Sequence, residues 1–278
     1  MMTSSLQFAR LQSPSSISTY KMCPRKYFLR YHLKIPSVEA IPTVRGKLVH
    51  SVLEDFFSLS PNELTHNNCQ SLLLLAVQQL LVQKWRAEPL LEQLCPVKED
   101  RFTLFEETLF MLQNWVSGFV VPRLLAMPGS PAVNFQHVIP LREQHFSSDE
   151  LGVQGFVDVI ESYNGEVRIM DYKTSTKIDV HEHKLQLGMY ALLYHQKHNQ
   201  LPNKVGVYFL KNASAQFLPV NDELVNHARL ELAFVHEKTQ STDIKDYPLK
   251  PGPLCKWKTG QCDYFEYCFK GKALPVKA

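Results

Sequence analysis

The sequence predicts an α/β protein, a mixed β-sheet flanked by helices, on three observations. Two β-like runs, Val153 to Ser162 and Glu166 to Tyr172, are joined by Tyr163-Asn164-Gly165, and an Asn-Gly between such runs signals a hairpin. A helix-like segment, Asp179 to Asn199, follows directly. Further on, Lys204 to Leu210 reads as a buried strand, and the resulting order of helix, strands, helix, strands, helix implies the layered architecture.

With 278 residues, 45% of them hydrophobic and 21% charged, the chain is long enough to bury a sizeable core. A net charge of only +3 excludes a histone-like basic tail, so nucleic-acid affinity must come from a local patch. The N-terminus lacks the apolar core of a signal peptide, and no run reaches the roughly 18 apolar residues of a membrane span. A cytoplasmic, intracellular location is therefore expected, and there the six cysteines read as thiols or metal ligands rather than disulfides.

Residues 1–14 read as a flexible leader, and 15–278 as one domain. A helix is expected from near Ser15, behind the cap candidates of Ser13-Pro14-Ser15-Ser16, and a second from Pro24 carries Tyr27, Phe28 and Tyr31. Thr43 to Leu59 reads as a helix burying Leu48, Val52, Leu53 and Phe56, with His50 at the edge of that stripe and Glu54 one turn on, placed to orient or pack. Cys69 to Trp85 and Asp100 to Leu125 carry helical repeats around a loop with Pro89 and Pro96, a helical insertion over about 61–127 in which Cys69 and Cys95 are plain thiols. Val133 to Phe146 reads as strand, with Glu143 either a supporting acid or a surface one. Gln216 to Val220 is a short strand, and Asn221 to Thr239 an amphipathic helix capped by Asn221 or Asp222.

The chemistry gathers around the hairpin. Alternation along the second strand puts Asp171 and Lys173 on one face and Tyr172 on the other, and Asp158 reaches that face if the hairpin pairs in register. Two carboxylates can hold Mg²⁺ or Mn²⁺, and a neighbouring ammonium can orient an attacking water. Gln186 and Tyr190, four apart, share a helical face.

An aspartate, then D-x-K, then Q-x-x-x-Y, in this order, resembles the RecB-like branch of the PD-(D/E)XK nuclease superfamily. Gly46 to Glu54 is similar to that branch's G-x-x-x-H-x-x-L-E, and Ser16 to Tyr27 lies within a segment resembling its opening S-x-S-x-x-x-Y-x-x-C-P-x-x-Y. The resemblance implies a restriction-endonuclease-like fold and a metal-dependent DNA nuclease, an exonuclease on single-stranded DNA or DNA ends in repair, recombination or CRISPR-type processing. It implies Mg²⁺ or Mn²⁺ on His50, Asp158, Asp171 and the Tyr172 carbonyl, Lys173 positioning water, and Gln186 and Tyr190 bracing the site and touching substrate.

The tail, about 251–270, supplies Cys255, Cys262 and Cys268, which with Cys23 match the one-plus-three arrangement of the iron-sulfur subset that includes AddB-type nuclease domains and CRISPR-associated exonucleases. The resemblance implies a 4Fe-4S cluster. Six residues separate Cys255 from Cys262 where the subset commonly has two, which leaves Zn²⁺ as the alternative. A structure-specific endonuclease and a non-catalytic DNA-binding or assembly subunit are the other readings. No G-x-x-x-x-G-K-[ST] loop occurs, so unwinding would need a helicase or other recombination or CRISPR partner.

Overall fold

The computed structural model describes residues 8–163, 165–258 and 260–275. The chain divides into two compact units, one of residues 39–145 and 156–220, the other of residues 1–38, 146–155 and 221–278.

The larger unit is built on a five-stranded sheet in the order β1 (Leu141–Ser148), β2 (Val153–Tyr163), β3 (Glu166–Lys173), β4 (Lys204–Phe209), β5 (Ser214–Pro219); residues 146–148 of β1 and 153–155 of β2 are counted with the other unit. The β2–β3 and β4–β5 pairs are antiparallel and β3–β4 is parallel, so the sheet is mixed as the sequence predicts. Gly165 has φ +77° in the β2–β3 connection, a conformation in which a side chain is strained, while Asn164 lies outside the described residues. The parallel pair requires a crossover, supplied by the helix Lys184–His198, which buries Leu187 through Tyr194.

The helices Ile41–Phe56, Cys69–Arg86 and Lys98–Trp115 share one core with the sheet: Val49, Leu73, Leu112 and Trp115 cluster with Val159, Met170, Tyr172 and Tyr208. The segment expected as an insertion thus packs directly on side chains of β2, β3 and β4. Lys98–Ala126 is long and apolar enough to cross a membrane by length and composition, yet Met111, Trp115, Val120 and Leu124 are buried in this core. It loosens to π geometry over Val116–Val120, just ahead of Pro122, which lacks an N–H for the helical ladder.

One expected element differs. Residues Pro131–His137 form a helix, and strand begins only at Leu141. Ser130 accepts from Val133 N and Pro131 occupies the first turn, a start signal that outweighs the β-branched and aromatic residues behind it.

In the smaller unit, Ser13 and Ser16 cap the helix Pro14–Met22 reciprocally, and Asn221 caps Asp222–Lys238. Of the expected leader, residues 1–7 lie outside the described residues; Gln12 is buried, bridges Val153 in parallel and donates to the Tyr27 hydroxyl at 2.9 Å and to Thr239 Oγ1 at 3.2 Å. The tail returns to the first helices, where Arg25 Nε donates to Tyr247 O at 2.7 Å and Lys250 Nζ to Lys21 O at 3.0 Å.

Candidate active site

Strand alternation in β3 sorts the site. Met170 and Tyr172 enter the helix-covered core, which sends Asp171 and Lys173 to the opposite face. The pair Val159–Met170 puts Asp158 at the level of Asp171, and Asp158 Oδ2 accepts from Tyr172 N at 3.0 Å. Both carboxylates are nearly excluded from water, at 9% and 2% exposure. Two anions brought together in a low-dielectric site need a cation or a proton between them.

His50 sits where its helix meets this cluster. Its Nε2 lies 3.1 Å from the Tyr172 carbonyl, which can only accept, so Nε2 carries the hydrogen and Nδ1 faces Asp158 Oδ2 at 3.3 Å and Glu143 Oε1 at 3.7 Å. Ligand atoms of His50, Glu143 and Asp158 all lie within 4.8 Å of one another. They border a cavity of about 10 Å³, on the scale of one water or ion. An imidazole nitrogen with carboxylate oxygens is a donor set that a divalent metal ion fits.

Asp171 stands beside this trio. Its Oδ1 accepts from Gln186 Nε2 at 2.8 Å and its Oδ2 is 2.5 Å from Lys173 Nζ, an ion pair that still leaves Oδ2 with an unfilled acceptor position. Gln186 Nε2 also donates to the Tyr190 hydroxyl at 2.7 Å, so one amide group fixes both neighbours. Burial, with Asp171 and Asp158 adding to it, holds the Tyr190 phenol well above its usual range and therefore protonated.

The residues expected as ligands are thus brought together, with two differences. The Tyr172 carbonyl is engaged by His50, and the tightest trio contains Glu143 rather than Asp171. Glu143 is a non-glycine residue with φ +45°, a left-handed conformation within a strand that costs about 1 kcal/mol or more and turns the local backbone. The sequence offers Glu143 as a supporting or a surface acid, and nothing in it announces the left-handed backbone. Glu54, by contrast, has an exposed side chain, and its carbonyl accepts from Arg142 Nη1 at 2.6 Å.

The electrostatics carry a pH prediction. Burial lowers the His50 pKa, but its bond to Glu143 and the charges of Asp158 and Asp171 outweigh burial and lift it from 6.5 to about 9. Burial and then repulsion from Asp171 raise Asp158 from 3.8 to about 7, against the pull of His50. Both folded-state values lie above the unfolded ones, so each contribution is complete below the unfolded pKa and is lost as pH rises through the folded one. The Tm of metal-free protein should therefore fall by several degrees from pH 6.5 to 9, and saturating Mn²⁺ should flatten the slope because the ion replaces the protons. A metal-free Tm independent of pH over that range would contradict this arrangement.

In the smaller unit, Cys23, Cys255, Cys262 and Cys268 line one cavity of about 420 Å³. Burial, then Cys23 and Cys262, push the Cys268 thiol up to about 11. Cys69 and Cys95 belong to the other unit, Cys69 in its core.

Buried carboxylates and a lysine on β2 and the central strand β3 of a mixed sheet, with a fixed imidazole beside them, make up a site suited to metal-dependent phosphodiester chemistry. Residues 12–269 match the PD-(D/E)XK nuclease superfamily, and the chain belongs to that superfamily, whose members use divalent metals. A crystal structure from Eubacterium rectale, described as a "putative exonuclease", is similar over 100% of this chain and 96% of that one, with a TM-score of 0.50 and 12% identity, a likeness of fold alone. No curated protein matches the chain.

Proposed function

We propose that the chain is a metal-dependent deoxyribonuclease of the RecB-like branch, an exonuclease acting on single-stranded DNA or DNA ends in repair, recombination or CRISPR-type processing. The observation that carries this is the junction of two groups built from β1, β2, β3 and two helices: the His50–Glu143–Asp158 trio and the Asp171–Lys173–Gln186–Tyr190 chain. The ion would be held by His50 Nδ1, Glu143 and Asp158, with the unfilled Asp171 Oδ2 beside them. When bound it supplies Lewis-acid polarisation of the phosphoryl group. The Tyr172 carbonyl holds the His50 tautomer that presents Nδ1. Lys173 orients the attacking water, Gln186 keeps Asp171 and Tyr190 in place, and the protonated Tyr190 hydroxyl offers a hydrogen bond to the phosphate.

The same reading gives Cys23, Cys255, Cys262 and Cys268 to a 4Fe-4S cluster, with Zn²⁺ as the alternative occupant. What supports a shared centre is that all four thiols line one cavity. Strand separation is left to a partner helicase.

End-labelled single-stranded and duplex DNA, incubated with Mg²⁺, Mn²⁺ or EDTA, tests the proposal. Progressive loss from ends with either metal and none with EDTA is the expected result. Cuts in covalently closed single-stranded circles would replace exonuclease by endonuclease. A folded protein that binds DNA and cuts none of these substrates would be a binding subunit.

A further inference from the structure

We infer that the tail of the smaller unit carries a single-strand binding platform centred on Trp257. The inference rests on the DNA-nuclease reading and adds to it a surface and a strand preference.

The ribbon Lys256–Trp257 paired with Gly260–Gln261 is a two-stranded antiparallel element. Trp257 is 49% exposed there, whereas Trp115 is fully buried. A Cβ at Gly260 would lie 3.0 Å from three adjoining atoms of the Trp257 indole, equal distances that a ring presents only face-on. One face of the indole is therefore seated on Gly260 and the other is turned away from it. Lys256 and Lys258 adjoin it in the chain, both exposed and, among the described residues, in no ion pair; strand alternation sends the Lys256 side chain to the other face of the ribbon, over the Phe265 ring at 5.9 Å. Between Leu249 and Pro275 stand five lysines against two acids, and one of those acids, Glu266, is paired with Lys270 at 3.2 Å. The whole chain nets +3, so this short stretch, like Lys21–Lys34 with five basic residues and no acid, carries a local excess of positive charge of the kind nucleic-acid affinity requires.

An exposed aromatic face on a lysine-rich ribbon fits a polyanion that carries flat rings. Bases of single-stranded DNA are free to stack on it while phosphates meet the lysines; in a duplex those faces are already stacked. A protein partner would match the apolar neighbours Leu254 and Phe269 but would not need the lysine charge.

The test uses the full chain in EDTA, so that cleavage plays no part. Oligo-dT should quench the tryptophan emission, and Trp257→Phe should lose most of that quenching while keeping affinity. Trp257→Ala should weaken oligo-dT binding about tenfold and leave blunt duplex binding unchanged. Lys256→Ala with Lys258→Ala should weaken binding and reduce its salt dependence. Wild-type affinity of Trp257→Ala for oligo-dT, or equal losses on both DNAs, would overturn the inference. The nuclease reading would stand in that event if wild-type protein cleaves with Mn²⁺; a chain that never cleaves yet shows the Trp257 effects would lose that reading and keep the platform.

Discussion

Lys173→Gln should lower phosphodiester cleavage on the order of 10³-fold with DNA binding and fold retained, and added Mn²⁺ should not restore it. The argument starts from the pairing of Lys173 Nζ with Asp171 Oδ2 at 2.5 Å, where the lysine is 27% exposed and the aspartate 3%. The ammonium reaches from a buried carboxylate toward the open side of the site, where it can hold water against phosphorus. Removing only its charge leaves the carboxylate cluster intact. Alanine is the poorer probe, since it strips a partner from a buried carboxylate and adds a folding cost of about 3 kcal/mol. A glutamine amide still donates to Asp171, so loss of rate in Lys173→Gln reports chemistry rather than collapse. His50→Ala should behave differently: raising Mn²⁺ recovers part of its activity, because a missing ligand weakens binding of the ion and not the step that follows. A Lys173→Gln protein cutting at the wild-type rate would exclude this division of labour.

Much of this site was legible because it depends on short-range geometry. Alternation alone separates Asp171 and Lys173 from Tyr172, and four-residue spacing alone puts Gln186 and Tyr190 on one helical face, where one amide joins them. The Asn221 cap was legible for the same reason. What escaped depends on tertiary context. Glu143, which the sequence leaves between a supporting and a surface acid, enters the trio through a left-handed backbone that a non-glycine residue rarely adopts, and the preference of the Tyr172 carbonyl for His50 depends on where a distant helix docks. The helix Pro131–His137 was signalled by Ser130-Pro131, but its Val and Phe content read as strand. Packing of the 69–126 helices on β3 and β4 is a long-range outcome that periodicity does not encode.

Under the proposed cluster, anaerobically purified protein should be brown, and replacing any one of Cys23, Cys255, Cys262 or Cys268 by serine should bleach it and lower its Tm by about 10 °C. The four thiols are contributed by the first helices and by the tail, and line one cavity. The proposed shared centre would close a loop from residue 23 to residue 268, and closing a long loop contributes on the order of 4 kcal/mol by removing freedom from the unfolded chain. The polar ties between these segments, such as Arg25 to the Tyr247 carbonyl and Lys250 to the Lys21 carbonyl, contribute about 1 kcal/mol each and cannot replace it. Cys69→Ser and Cys95→Ser should both leave the colour unchanged. Cys95 is the better control for Tm, because Cys69 is 1% exposed in the core and a hydroxyl there carries its own cost. Iron and sulfide in comparable amounts should accompany the colour. Colourless protein with one zinc per chain would remove the cluster and keep the four-cysteine centre, whereas metal-free protein of undiminished Tm would remove both, and in either case the site at His50, Glu143, Asp158 and Asp171 would still answer to its own experiments.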